Sequence, residues 1–338
     1  VGLLSVDIQD IDYGFSGNII AGDAIDIGRF TPDHFDISIT HNSFENACSV
    51  DIPSFTYIGQ SFGYLNAPLI TITAKNALGV TTQNYTETSF QKLTAGDINR
   101  TFPLSDAVKN GLDNATKMDV VPTIQTGSLS KLSNGVLDYE FSTADTFTYS
   151  KDSNSQVAEF LINYDILINS ITDSDGVRIN ASTALPAEVQ PSGGFQRFGR
   201  LVLRNSFGPE TSSLVQNFET EYVNTSGVFT RNTEDNCSLI TKAASSWSFS
   251  NPTNNVSINN LTVSGADSSL IDGNFENIFL NSGSRQGTID IEYTTPSWLK
   301  YNWSGKVSNL HDENTSATAT FGIYRGNDRI ISWREIGN

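Results

Sequence analysis

Residues 54–85, with the sequence SFTYIGQSFGYLNAPLITITAKNALGVTTQNY, decide the fold. Within this stretch, apolar and polar residues alternate between positions 69 and 75. Ile70, Ile72 and Ala74 fall on one side of an extended chain, and the intervening polar residues fall on the other. Period-two alternation that is rich in β-branched residues indicates a half-buried strand. We therefore predict a strand over residues 69–75.

The sequence at the end of this strand is repeated in part further along the chain. Asn76 and Gly79 supply turn chemistry, because both residue types tolerate positive φ. Asn205 and Gly208 repeat this spacing after a second alternating run, for which we predict a strand over residues 200–204. This repeated spacing favours two related β-sandwiches in tandem. Coincidence is the alternative, because a strand followed by Asn-x-x-Gly is common in β proteins.

Further alternating runs extend the all-β pattern. Residues 136–141 place Leu137, Tyr139 and Phe141 on one face, and residues 160–168 repeat the pattern from Phe160 to Ile168. A four-residue spacing of apolar residues from 104 to 112 permits one short helix. The predicted fold class is all-β, with tandem immunoglobulin-like β-sandwich domains. The predicted organisation is an N-terminal strand segment (1–28), a first sandwich (29–176) and a second sandwich (177–338).

Composition excludes several classes of partner. The chain has 338 residues, of which only 17% are charged, and its formal net charge is −17. This charge repels nucleic acid and anionic lipid, so we expect no nucleic-acid partner. No apolar run approaches the ~20 residues of a membrane helix, so we expect no membrane insertion. The first residues lack the basic region of a signal peptide, and we expect the chain to be a mature or fragmentary part of something longer.

The chain contains two cysteines, Cys48 and Cys237. Its polar, lysine-poor composition is typical of a secreted protein, and two cysteines in an oxidising compartment are expected to form a disulfide. Two buried free thiols are the alternative, because sequence does not show whether the two Cα atoms come within bridging distance.

The sequence offers no catalytic motif, so we expect no enzyme. Its three histidines lack a metal-binding spacing, and neither a nucleophile elbow nor a phosphate loop is present. Asp173 and Asp175 in Asp-Ser-Asp-Gly are the best metal candidate, for calcium, but the bidentate Glu of an EF-hand loop is missing. Between strands, Asp-Gly first indicates a turn. We therefore expect no cofactor, with calcium at this turn as the alternative.

Aromatic residues are concentrated near the end of the chain. They are Tyr293, Trp298, Tyr301, Trp303, Tyr324 and Trp333. Such residues stack on sugars, anchor a protein partner or fill a core, and we favour a core position for Trp298.

A set of short motifs, in order along the chain, resembles a known family. The motifs are GRFTPDHF (28–35), FTYIGQSF (55–62), TAKNALG (73–79) with NY (84–85), RFGRL (197–201), NTEDNC (232–237), PSWLKY (296–301), FGIY (321–324) and WRE (333–335). Together they resemble the C-terminal region of the MshQ-like proteins, which are associated with type IV pili of the mannose-sensitive haemagglutinin (MSHA) type. Thr31 departs from the family pattern, in which this position is aromatic. The resemblance implies a pilus-associated role at the bacterial cell surface and supplies no catalytic residue.

These observations favour an extracellular, pilus-associated module for adhesion or pilus biogenesis. Its expected partners are pilus or other cell-surface proteins, or surface carbohydrate. The alternatives are a secreted polysaccharide-active or carbohydrate-binding protein, and a structural stalk for a distal lectin-like domain. Because rigid sheets present their connecting loops, we expect binding at residues 94–118, 183–195 or 305–317.

Overall fold

The computed structural model of the chain describes residues 1–15, 17–49, 54–107, 117–151, 156–162, 164–306 and 310–323. It is nearly all β, with 50% strand and 5% helix, which confirms the predicted all-β class. The described helical residues lie in short 3₁₀ turns, and none of these helices has the length and apolar character needed to cross a membrane. Residues 105–107 of the predicted short helix form a strand instead, and residues 108–112 lie outside the described part.

The strands are β1 (Gly2–Val6), β2 (Gln9–Tyr13), β3 (Asn18–Ala21), β4 (Ile25–Phe30), β5 (His34–Thr40), β6 (Ser43–Glu45), β7 (Phe55–Tyr57), β8 (Gly63–Asn66), β9 (Leu69–Lys75), β10 (Ile98–Thr101), β11 (Ser105–Ala107), β12 (Lys117–Thr123), β13 (Ser128–Ser133), β14 (Val136–Glu140), β15 (Thr146–Tyr149), β16 (Phe160–Leu161), β17 (Ile166–Ile171), β18 (Arg178–Ile179), β19 (Ala187–Val189), β20 (Phe195–Arg197), β21 (Gly199–Leu203), β22 (Ser206–Gly208), β23 (Leu214–Val223), β24 (Phe229–Arg231), β25 (Leu239–Ile240), β26 (Trp247–Ser250), β27 (Thr262–Gly265), β28 (Ser268–Ser269), β29 (Asn274–Asn281), β30 (Gly287–Tyr293) and β31 (Thr315–Phe321). The 3₁₀ turns span Gln83–Thr86, Ala95–Asp97, Ala244–Ser246, Ile258–Asn260 and Ser297–Leu299.

Contacts divide the chain into two compact units. The first unit comprises Val1–Ala47, Gln60–Ser150 and Phe160–Gln196, and the second comprises Cys48–Gly59, Lys151–Glu159 and Arg197–Asn338. The second unit therefore includes two short segments from the first half of the sequence. The segment Cys48–Gly59 carries a disulfide-bonded cysteine and Tyr57, which belongs to a buried polar network.

The predicted strand 69–75 is the centre of the main sheet of the first unit. This strand, β9, lies in the order β13-β14-β9-β5-β18 and has antiparallel partners on both sides. Ile70, Ile72 and Ala74 are buried, and their polar neighbours are half exposed, as the alternation predicts. Ile72 lies opposite Ile37 on one side and Leu137 on the other, so its side chain packs within three strands.

A second layer packs on this sheet. The strands β10, β17 and β19 form a three-stranded sheet, and the guanidinium of Arg100 on β10 lies 5.3 Å from the ring of Tyr139 on β14. The predicted run 160–168 is split into β16 and β17, but every residue predicted for its core face is buried. These residues are Phe160, Ile162, Tyr164, Ile166 and Ile168.

The second unit contains two sheets packed face to face. One has the order β21-β23-β29-β27, with β24 also on β23, and the other has the order β22-β31-β30-β26. The ring of Phe218 in the first sheet lies 4.9 Å from that of Tyr293 and 5.8 Å from that of Trp247, both in the second sheet. Two mainly antiparallel sheets with interlocking inner faces define the sandwich class that includes immunoglobulin-like domains. The predicted strand 200–204 is observed as β21.

Three tight turns share one geometry. In each, an Asn or Asp side-chain oxygen accepts hydrogen bonds from the backbone N–H groups two and four residues further on, while a positive-φ Gly three residues on donates to the backbone carbonyl. The turns begin at Asn76, Asp173 and Asn224. In all three the sequence is Asx-x-x-Gly-Val.

The repeated Asn-x-x-Gly spacing at Asn205 does not form this turn. Residues 206–208 form the edge strand β22, which runs parallel to β31, and the Asn205 Oδ1 atom accepts a hydrogen bond from the Thr318 N–H at 2.8 Å. The structural counterpart of the Asn76 turn is therefore at Asn224, after β23.

We expect Ile72→Asp to unfold the first unit, because it places an unpaired carboxylate where the side chain is 1% exposed. Ile72→Val should cost only about 0.5–1.5 kcal/mol, because the packing is retained. Circular dichroism during thermal unfolding would measure both variants. A cooperative transition for Ile72→Asp at the wild-type temperature would contradict the assignment of Ile72 to the core.

Candidate recognition face of the second unit

A disulfide fastens the segment Cys48–Gly59 to the rest of the second unit. Cys48 and Cys237 are bonded, with Cα atoms 5.7 Å apart, so the predicted pairing is present in the structure. Both cysteines belong to the second unit, so the bond lies within it. The two residues are 189 positions apart, and closing a loop of this size is worth on the order of 4–5 kcal/mol in the chain-entropy model.

A buried polar network lies beside the disulfide. The Tyr57 hydroxyl donates to Asp235 at 2.8 Å and accepts from the Asn232 side-chain amide at 2.7 Å. Asp235 also accepts hydrogen bonds from the backbone N–H groups of Cys237 and Ser238. Burial, with a further contribution from Asp235, raises the pKa of Tyr57 well above its usual value. The phenol is therefore a neutral donor that ties the incoming segment to the strand connection at 232–238.

Arg197 supplies the positive charge of this network. Its guanidinium donates to the Asn232 side-chain oxygen at 2.6 Å, to Glu159 at 3.2 Å and to Glu234 at 3.1 Å. It also lies 4.8 Å from the centre of the Phe55 ring. Both carboxylates are therefore paired with one cation, an arrangement that serves structure and leaves neither as an obvious general acid or base.

Lys151 is a second, half-buried cation, held by backbone rather than by carboxylate. Its ammonium donates to the carbonyl oxygens of Gly199, Trp298 and Lys300 at 2.7, 2.8 and 2.6 Å. Burial lowers the pKa of Lys151 to about 7. Because Trp298 and Lys300 precede Tyr301, this ammonium fixes the backbone from which the next feature projects.

One arginine and four rings form what we call the Trp303 face: Arg200, Phe229, Tyr301, Trp303 and His311. Trp303 is exposed and the other four are half-buried. The guanidinium of Arg200 lies 3.7 Å from the centre of the Phe229 ring, 5.0 Å from that of Tyr301 and 5.1 Å from that of Trp303. His311 stacks on Tyr301, with ring centres 5.2 Å apart and planes at 26°. Trp303 is 36% exposed, so a large ring is presented to solvent beside a fixed cation.

Hydrogen bonds and charge pairing hold the face in place. Arg200 forms an ion pair with Glu221 on the neighbouring strand β23 at 2.6 Å. The Gln156 side-chain amide donates to the Tyr301 hydroxyl at 2.5 Å. With the guanidinium stacked on several rings at once, the aromatic side chains are held in fixed relative positions.

Glu313 organises the loop that carries Trp303. Its carboxylate accepts hydrogen bonds from the Ser304 N–H at 2.7 Å, from the Ser304 hydroxyl and from the Lys306 ammonium at 2.7 Å. The backbones of Glu313 and Tyr301 also bond to each other in both directions. These partners, the Lys306 bond first, lower the pKa of Glu313 to about 2. The loop is thus closed by one carboxylate that is ionised at physiological pH.

The calcium candidates are engaged in other contacts. Asp173 is buried, with one carboxylate oxygen accepting the two N–H groups of its turn and the other accepting the Tyr85 hydroxyl at 2.8 Å. Asp175 pairs with Arg29 at 2.7 Å. Across the described ranges, no group of three or more His, Cys, Asp or Glu side chains is arranged to hold a metal ion. The geometry at these two residues is that of a structural turn.

One of the three predicted binding loops lies beside the Trp303 face. Loop 305–317 includes Lys306 and Glu313 and borders the Trp303 face, although residues 307–309 lie outside the described part. Loop 94–118 contains β10 and β11, with 108–116 outside that part, and loop 183–195 contains β19. Tyr293 is in the core and Trp298 is half buried, while residues 324 and 333 lie outside the described ranges.

Comparison with known proteins gives two family matches. The model described as DUF6701, third domain, matches residues 1–194, and the model described as DUF6701, fourth domain, matches residues 197–336. The two matches meet near the position where contacts separate the two compact units. No curated protein matches the chain.

One solved structure with some likeness is FdeC, described as a broadly conserved Escherichia coli adhesin. It shares 13% sequence identity over 90% of this chain and 71% of its own chain, with a TM-score of 0.28. A likeness at this TM-score supports no statement about the architecture or function of the present chain.

We expect replacement of both Cys48 and Cys237 by Ala to lower the thermal midpoint of the second unit on the order of 10 °C, because loop-closure entropy is no longer removed from the unfolded chain. Differential scanning calorimetry with and without reductant would measure this effect. Reductant should destabilise the wild type and leave the double variant unchanged. Free thiols in protein from an oxidising source, or equal midpoints, would contradict the bond.

We expect the unfolding free energy to rise with pH between about 7 and 9.5 because of Lys151. In this range the unfolded chain holds a proton on this lysine that the folded chain has lost, since the folded pKa is about 7 and the ordinary value is about 10.4. The slope is at most about 1.4 kcal/mol per pH unit. Urea unfolding at several pH values should show a smaller slope for Lys151→Met but not for Lys300→Met; equal slopes would contradict this titration.

Proposed function

Because this chain belongs to the DUF6701 family and presents the Trp303 face, we propose that it serves as a non-catalytic adhesion module at the bacterial cell surface. The observation that carries the proposal is an exposed tryptophan held in a fixed position. Trp303 lies beside Arg200 and Tyr301, and its loop is closed by Glu313. Such a face enters a contact already ordered, so little side-chain entropy is lost on binding.

The composition of the face supports recognition. Trp, Tyr and Arg are the residue types that most often dominate the energy of protein interfaces, because they bury large areas and retain a polar group. Trp303 and Tyr301 provide the rings and Arg200 the cation. Exposed ring faces also stack on the apolar face of a sugar, so surface carbohydrate is the second candidate ligand.

The resemblance to MshQ-like proteins supports the more specific proposal of association with MSHA-type type IV pili. The disulfide between Cys48 and Cys237 fits this location, because structural disulfides persist outside the cytosol. A stalk that only spaces a distal domain would not need a fixed aromatic face.

The use of carboxylates supports a non-catalytic role. Glu159 and Glu234 share Arg197, Glu221 pairs with Arg200, and Glu313 closes its own loop. Each of these carboxylates is assigned to a structural partner, whereas polysaccharide hydrolysis requires two that act on the substrate.

We expect Trp303→Ala to weaken binding of the chain about 30-fold, since loss of a central aromatic contact costs about 2 kcal/mol. Binding to erythrocytes would be measured by flow cytometry, and binding to immobilised mannan by biolayer interferometry. Phe207→Ala is the matched control, because this ring is 86% exposed on the edge strand β22 and takes no part in the face. Unchanged binding by Trp303→Ala, or equal losses in both variants, would contradict the proposal.

A further inference from the structure

The first 30 residues form an arm, called here the amino-terminal arm, that consists of two small antiparallel sheets. β1 pairs with β4, and β2 pairs with β3, which both lie between β1 and β4 in the sequence. Nearly every described side chain of the arm is half or fully exposed. A sheet of two strands buries little by itself and is marginally stable without further packing.

The arm carries an unusual concentration of exposed apolar side chains. Ten large apolar residues in this stretch are between 47% and 97% exposed. They are Leu3, Leu4, Ile8, Ile11, Phe15, Ile19, Ile20, Ile25, Ile27 and Phe30. Single exposed apolar residues are normal on a protein surface, whereas a contiguous apolar patch marks an interaction surface.

The β1–β4 sheet has a defined apolar face. Leu4 lies directly opposite Ile27, and Val6 lies opposite Ile25, so these four side chains share one side of the sheet. Leu4, Ile25 and Ile27 are each about half exposed or more. This side of the sheet therefore has the character of an inner face that lacks a covering layer.

The base of the arm is fixed to the body of the first unit. The side chain of Asn84 accepts a hydrogen bond from the Val1 nitrogen at 2.9 Å and donates to the Val1 carbonyl at 2.6 Å. At the other end, Arg29 forms its ion pair with Asp175. Both ends of the arm are thus anchored, so its apolar face is held in a defined position.

Phe15, at the turn between β2 and β3, is presented at an energetic cost. Its ring is 97% exposed, and its backbone is left-handed, with φ of 57°. A non-glycine residue in this region costs about 1–2 kcal/mol. The turn is stabilised by Asp12, which accepts hydrogen bonds from the N–H groups of Phe15 and Gly17.

Charge argues against a second copy of this chain as the partner. The arm contains Asp7, Asp10, Asp12, Asp23 and Asp26 but only one basic residue, Arg29. The chain as a whole has a net charge of −17. Two copies would bring like charges together across an apolar contact, which opposes self-association.

The family match supports a different partner. Residues 1–194 match the third domain of DUF6701, so family members carry a second domain immediately before it in the domain order. We propose that the amino-terminal arm is the docking surface for the second domain of the same polypeptide, which covers the Leu4–Ile27 face and the Phe15 ring. The contacting surface of that domain is apolar and neutral or basic. This docking does not depend on ligand binding at the Trp303 face.

Hydrogen–deuterium exchange would test the proposal on the natural full-length polypeptide and on residues 1–338. We expect amides of β1 to β4 to exchange at least about tenfold more slowly in the full-length polypeptide, because docking suppresses local opening of the arm. Phe15→Ser in the full-length polypeptide should return the exchange of β2 and β3 toward the rate in residues 1–338. Leu78→Ser is the matched control, because Leu78 is 88% exposed on a turn outside the arm, and it should change nothing.

Three results would overturn the proposal. One is equal exchange of the arm in the two polypeptides, and another is equal effects of Phe15→Ser and Leu78→Ser. The third is self-association of residues 1–338 in sedimentation equilibrium that Phe15→Ser abolishes, which would make a second copy the partner.

Discussion

The second unit depends on the burial of one guanidinium group, that of Arg197. It holds Glu159, from one segment of the chain, and Asn232 and Glu234, from another, at a single point beside the Phe55 ring. Removing one member of such a group leaves uncompensated buried charge and typically costs 3–5 kcal/mol. The network and the adjacent disulfide together explain why a segment from the first half of the sequence belongs to the second unit.

Arg200, three residues further on, has a different role. It lies near the surface of the same unit, where its half-exposed guanidinium stacks on Phe229, Tyr301 and Trp303. The first arginine fixes the scaffold, and the second fixes the rings that the scaffold presents. The side chain of Lys151 connects the scaffold to these rings, because it donates hydrogen bonds to the backbone that leads into Tyr301. The hydrogen bonds in the interior thus fix the positions of Tyr301 and Trp303 at the surface.

Local patterns predicted the local structure well. Alternation identified the central strand 69–75 and the core face of 160–168, because period two follows from strand geometry alone. The turn at Asp173 was also readable, since Asp-Gly between strands indicates a turn. The same Asx-x-x-Gly spacing at Asn205 did not form one, because residues 206–208 pair with β31 as an edge strand. The long-range assembly was not readable. Tyr57 meets Asn232 across 175 residues, and no local pattern indicates such a contact, nor that Arg200 would lie over rings about 100 positions later.

The central claim is that the Trp303 face is the contact surface of this module. Hydroxyl-radical footprinting of the chain, free and bound to erythrocytes, tests it most directly, because it reports the accessibility of each ring without altering the sequence. Trp303 is predicted to oxidise several-fold more slowly in the bound state, while the buried Trp247 oxidises slowly in both states. Equal oxidation of Trp303 in the free and bound states would contradict the claim.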